Sequence, residues 1–159
     1  MERKPRIGVI GPSQADEQTL ALAEQVGSEV AKRGAILICG GLGGVMEAAA
    51  RGAKREHGVT VGILPTPDAF SANLFIDIPI ATGLGEARNV IVVHSVNAII
   101  AIAGGYGTLS EIAFALRLNI PVVGLGTWQV RSPDGKPAPL VIAESPFAAV
   151  EKALAAVTR

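Results

Sequence analysis

Residues 97–111 read NAIIAIAGGYGTLSE. An apolar run too short for a helix meets a glycine cluster, and a helical pattern follows. Residues 35–47, AILICGGLGGVME, repeat that arrangement. Strand, glycine turn and helix in this order form the unit of a parallel sheet whose two faces are covered by helices. Outward from these two units the alternation continues. Arg6–Ile10 reads as a buried strand closed by Gly11-Pro12-Ser13, and Asp16–Arg33 as a helix stopped by Gly34. A helix is expected over Val45–Glu56, a strand over Val59–Leu64, a short strand over Leu74–Ile80 and a helix over Gly85–Ser95. Thr108–Leu118 reads as a helix, Pro121–Leu125 as a strand, and Pro133-Asp134-Gly135 as an exposed turn. An edge strand over Leu140–Ala143 and a helix over Pro146–Val157, with Ser145 as its N-cap, complete the pattern. The reading is one doubly wound, Rossmann-like α/β domain over residues 1–159. Its parallel sheet should have about six or seven strands.

Composition agrees with a packed domain. Of 159 residues 49% are hydrophobic and 18% charged, and mean hydropathy is +0.42, far from the disordered range. Fourteen basic side chains balance fourteen acidic ones. A neutral chain has no global field to gather nucleic acid or an anionic membrane, so neither is an expected partner. Cys39 is the single cysteine, which excludes an internal disulfide, a cysteine-rich zinc site and a CxxC redox pair. His57 and His94 are far apart in the chain, and no metal site is expected. No apolar run reaches membrane-spanning length, and Met1-Glu2-Arg3-Lys4-Pro5 leads into no signal-like apolar region. These features point to the cytoplasm.

In a parallel sheet both glycine clusters lie at the carboxyl edge of the strands, where α/β ligands bind. Glycine lets backbone approach a ligand, and the open N–H groups of the following helix favour an anion, most simply phosphate. The candidate binding residues are Gly40, Gly41, Gly43, Gly44 and Met46 in the first cluster. Gly104, Gly105, Tyr106, Gly107 and Thr108 form the second, and Gly11 and Ser13 close the first strand. Thr108 and Ser110 add hydroxyls, and Glu47 is placed to support the site by hydrogen bonding. The plainer alternative is that these glycines only make tight βα turns. A G-x-G-x-x-G after the first strand, a P-loop G-x-x-x-x-G-K-[ST] and a G-x-S-x-G elbow are all missing. Glu111 lies one turn into the helix after the second cluster. Arg88 opens another helix, where a cation opposes the dipole and needs an anion to hold it.

The segments GGLGGVMEAA and GGYGTLSE resemble the two motifs of the LOG family. Some of its members carry a lysine decarboxylase label. Characterised members are phosphoribohydrolases that release free bases from nucleoside 5′-monophosphates. The resemblance implies a Rossmann-like fold and a phosphorylated small-molecule ligand. It also implies a homodimer or higher homo-oligomer, and catalytic roles for Arg88 and Glu111, which keep the family's separation. No cofactor is required by it; an AMP-like nucleotide is the implied occupant. Two departures stand out. Ala103 replaces the proline before the Gly-Gly, a mild change, and Arg88-Asn89 replaces Arg-Lys. The stretch Thr82-Gly83-Leu84-Gly85-Glu86-Ala87-Arg88-Asn89 is more similar to the molybdenum-cofactor carrier proteins of the same superfamily. Those bind a phosphorylated pterin.

Decarboxylation through a lysine-bound pyridoxal phosphate is excluded on chemistry. Lys4, Lys32, Lys54, Lys136 and Lys152 all fall at a terminus, on a polar helix face or in a turn. Two functions are therefore expected to compete. The first is hydrolysis of an N-glycosidic bond with Glu111 acting on water or on ribose charge. The second is non-catalytic carriage of the molybdenum cofactor. Tyr106 and Trp128 are candidates to stack on a base, with Trp128 equally a candidate to cap the sheet. Ile91-Val92-Val93 with Phe114 and Leu118 form a candidate dimer face, with His94 a packing or interface residue.

Overall fold

The computed structural model describes residues 3–157. The charged start Met1-Glu2 lies outside them. Seven strands form one sheet in the order β4-β3-β2-β1-β5-β6-β7, every neighbour parallel. The strands are β1 Arg6–Ile10, β2 Ile36–Cys39, β3 Thr60–Leu64, β4 Ile78–Ala81, β5 Ala98–Ile102, β6 Val122–Leu125 and β7 Leu140–Ile142. The helices are α1 Glu17–Lys32, α2 Val45–Arg55, α3 Arg88–His94, α4 Tyr106–Arg117 and α5 Pro146–Val157. The chain builds outward from β1 to β4 and then returns to β5 on the other side of β1. The order therefore reverses between β1 and β5, the kind of place where α/β sheets open a crevice.

Alternation along the strands divides the core into two layers. Ile7, Val9, Leu37, Cys39, Ile100 and Ile102 meet α1, α2 and α5 on one face. Ile10, Ile38, Ile63, Ile99 and Ala101 meet α3 and α4 on the other. The two helices α1 and α2 pack backbone against backbone at two glycines. A methyl on Gly27 would overlap the Ala49 carbonyl, and one on Gly52 would overlap the Glu24 carbonyl. Asp16 caps α1 by accepting the Thr19 N–H at 2.8 Å.

Four expectations are corrected. The fourth strand occupies Ile78–Ala81 rather than starting at Leu74, because 69–71 form a short 3-10 turn and Asn73 turns the chain. Gly85–Ala87 is 3-10, so the helical part proper begins at Arg88. The helix expected from Thr108 starts at Tyr106, with Gly105 as its N-cap. The expected dimer face fails at its centre: Val92 and Val93 are fully buried in the second core layer, while His94 is exposed at the end of α3. No helix among the described residues is long and apolar enough to cross a membrane.

Candidate functional site

The carboxyl ends of β1, β2 and β5 open into a cavity of about 440 Å³. Gly11, Pro12 and Ser13 line it from the loop after β1, Gly40, Leu42 and Met46 from the turn after β2, and Pro65 from the end of β3. Glu86, Arg88 and Asn89 enter from the start of α3. Gly105, Gly107, Thr108 and Glu111 complete it from the start of α4. The structure thus brings both glycine clusters and the Arg88/Glu111 pair to one place.

Arg88 is the most informative side chain. It is only 8% exposed, yet its buried Nε has no hydrogen-bond partner. Its guanidinium lies over Gly40: a Cβ there would overlap Arg88 Nη1 and Met46 Sδ. Burial lowers the Arg88 pKa, and the nearby Glu111 opposes that drop. A guanidinium stays charged even so, and a buried cation without a hydrogen-bonded anion is costly. Glu111 is 7% exposed, and burial pushes its carboxyl up to about 7, with Arg88 pulling the other way. Near neutral pH the pocket therefore holds a fixed cation beside a carboxyl that can be charged or neutral.

The other expected residues divide by position. Gly41, Gly43 and Gly44 shape the first turn from behind rather than line the cavity. Gly44 has φ +64° and sits against the Pro12 and Ser13 carbonyls, while Val45 N–H donates to Pro12 O at 3.0 Å. Glu47 is half-buried on α2 and does not line the cavity. Gly104 lies against the Trp128 indole, outside the lining. Tyr106 is 84% exposed, its ring tilted against Trp128 at 5.9 Å between centroids. Ser110 is not a ligand donor: its hydroxyl donates to Gly107 O and accepts from Asn89 Nδ2. Cys39 is buried below the first turn, its Sγ accepting the Gly41 N–H at 3.4 Å, and burial pushes the thiol up to about 11.

Ala103 is not the mild replacement its size suggests. It has φ +50°, a left-handed conformation that proline's ring forbids, and its N–H donates to Leu125 O at 3.3 Å, a bond proline cannot make. The second turn is therefore built differently from a Pro-Gly-Gly turn. Pro65 and Asn89 also line the cavity and were not expected to. Pro65 carries no chemical signal, and Asn89 reaches the site from the first turn of α3.

The sequence and the fold are both shared with known proteins. An uncharacterised protein of Archaeoglobus fulgidus is 55% identical over 120 residues, covering 76% of this chain and 79% of that protein. The molybdenum cofactor binding protein of Rippkaea orientalis superposes with a TM-score of 0.88 at 40% identity, covering 98% of each chain. The molybdenum cofactor carrier protein of Chlamydomonas reinhardtii follows at 0.85 and 36%, over 99% of this chain and 100% of that one. The SLOG cluster4 family model spans residues 4–150. With the doubly wound sheet and the two glycine turns in place, this match makes the chain a member of the SLOG cluster4 family, a LOG-like group.

Proposed function

We propose that this chain binds a phosphorylated pterin of the molybdenum-cofactor type and holds it without turnover. The observation that carries the reading is the full-length likeness to molybdenum cofactor binding proteins at 36–40% identity. The site suits such a cargo. About 440 Å³ falls within the roughly 300–1,000 Å³ usual for small-molecule pockets. The open first turn of α4 suits a phosphate, and Arg88 suits a second anionic group. An ionised Glu111 accepts from the paired N–H groups of a pterin. The test is incubation with cofactor released from a molybdoenzyme, followed by gel filtration. Molybdenum and pterin should co-elute with the protein in equal amounts, and their absence from the protein peak overturns the reading.

One observation favours the second reading, hydrolysis of a nucleoside 5′-monophosphate to free base and ribose 5-phosphate. Glu111 near pKa 7 beside Arg88 has the protonation balance of a general acid or base. The same preparation is assayed with AMP, wild type beside Glu111→Gln. Ribose 5-phosphate release by wild type alone replaces the carrier reading with the hydrolase.

A further inference from the structure

Each glycine turn is tied down by side chains from the loop after the neighbouring strand. Asn73, after β3, donates Nδ2 to Leu42 O at 2.8 Å and to Gly41 O at 3.2 Å, and its own N–H also reaches Gly41 O at 2.9 Å. Thr127, after β6, donates its hydroxyl to Ala103 O. Trp128 donates its indole N–H to Gly105 O at 3.1 Å and fills the space beside Gly104. Asn73, Thr127 and Trp128 do not line the cavity. A trans peptide points its N–H opposite to its C=O. Fixing these four carbonyls therefore sets the direction of the N–H groups of Leu42, Gly43, Gly104 and Tyr106, the last together with α4 itself, whose Leu109 N–H also donates to Gly105 O at 3.1 Å. None of those four amides has a backbone acceptor among the described residues. The Thr127 bond to its carbonyl also holds Ala103 in its left-handed conformation.

We propose that Asn73 and the Thr127–Trp128 pair are positioning residues, two clamps that turn the amides of the glycine turns toward an anionic ligand. The proposal rests on the reading that the cavity binds such a ligand, and the test separates the two. The variants are Trp128→Phe, which keeps the ring and loses the donor, and Asn73→Asp, with Asn73→Ala as a second form should the aspartate not fold. In ligand-free protein, the single indole N–H should exchange slowly with solvent. Trp128→Phe should shift the amide signals of residues 104–108 and leave 41–44 in place, and the Asn73 variants should do the converse. A general loss of stability would not divide the signals this way. An unprotected indole N–H, or turn signals that stay put, overturns the clamps whatever the ligand proves to be.

The binding arm uses released molybdenum cofactor and AMP as separate probes. For whichever probe wild type binds, each single variant should weaken affinity about tenfold and the double variant about a hundredfold, since the turns are separate. Folded variants with wild-type affinity overturn the proposal. Wild type that binds neither probe refutes the ligand reading, and the clamps are then decided by the amide signals alone.

Discussion

Arg88 and Glu111 place binding and stability in opposition. Arg88 is buried with its Nε unsatisfied, a cost to the ligand-free chain that a bound anion would offset. Arg88→Met should raise the unfolding free energy of the ligand-free protein by about 1–3 kcal/mol. It should also weaken cofactor or AMP binding about a hundredfold, and urea titration with calorimetry reads both. A variant that loses stability shows that the guanidinium has partners the structure lacks. For Glu111 the sign follows from the upward shift. The folded chain holds the proton more tightly than the unfolded chain, so this group's contribution is greatest below 4.5 and is lost as pH rises to about 7. Glu111→Gln should abolish that slope and be about 1–3 kcal/mol more stable than wild type at pH 8, with little difference at pH 5. Equal slopes in both proteins would refute the burial argument.

Among the elements, two crowded glycines with different kinds of neighbour should behave differently. Gly52 of α2 meets backbone of α1, which cannot give way, so Gly52→Ala should cost 2 kcal/mol or more despite alanine's better helix propensity. That loss is expected in urea unfolding. Gly40 meets the flexible ends of Arg88 and Met46. Gly40→Ala should fold with nearly wild-type stability yet bind about tenfold or more weakly, because Arg88 must move. Helices and inner strands were legible because apolar runs end at glycines, and the structure brings the two clusters together at one cavity. The edge strand was less so. Leu74 is 97% exposed and Ile78 half exposed, so apolar character there did not mark burial and the strand's start was misplaced. Val92 and Val93 misled in the opposite sense, reading as a dimer face and lying in the core. Asn73 and Trp128 could not be assigned from the chain alone, since each acts on a turn remote from it in sequence.

At the scale of the whole molecule, the cavity sits where the order of the sheet reverses, between segments that span most of the chain. A ligand there joins the loops after β1, β2 and β5 and should stabilise the fold as one unit. At about 100 times its Kd it adds about 2.7 kcal/mol, or roughly 5–10 °C in Tm for a chain of this size. Differential scanning calorimetry with and without the released cofactor tests this, and an unshifted Tm would mean that no such ligand is bound. The chain's only thiol supplies a finer reading of the same event. Cys39 lies sealed under the first glycine turn with almost no thiolate at neutral pH. An alkylating reagent can reach it only in the moments when that turn lifts. Its labelling rate is thus a stopwatch for pocket opening, and cargo at 100 times its Kd should slow the clock about a hundredfold.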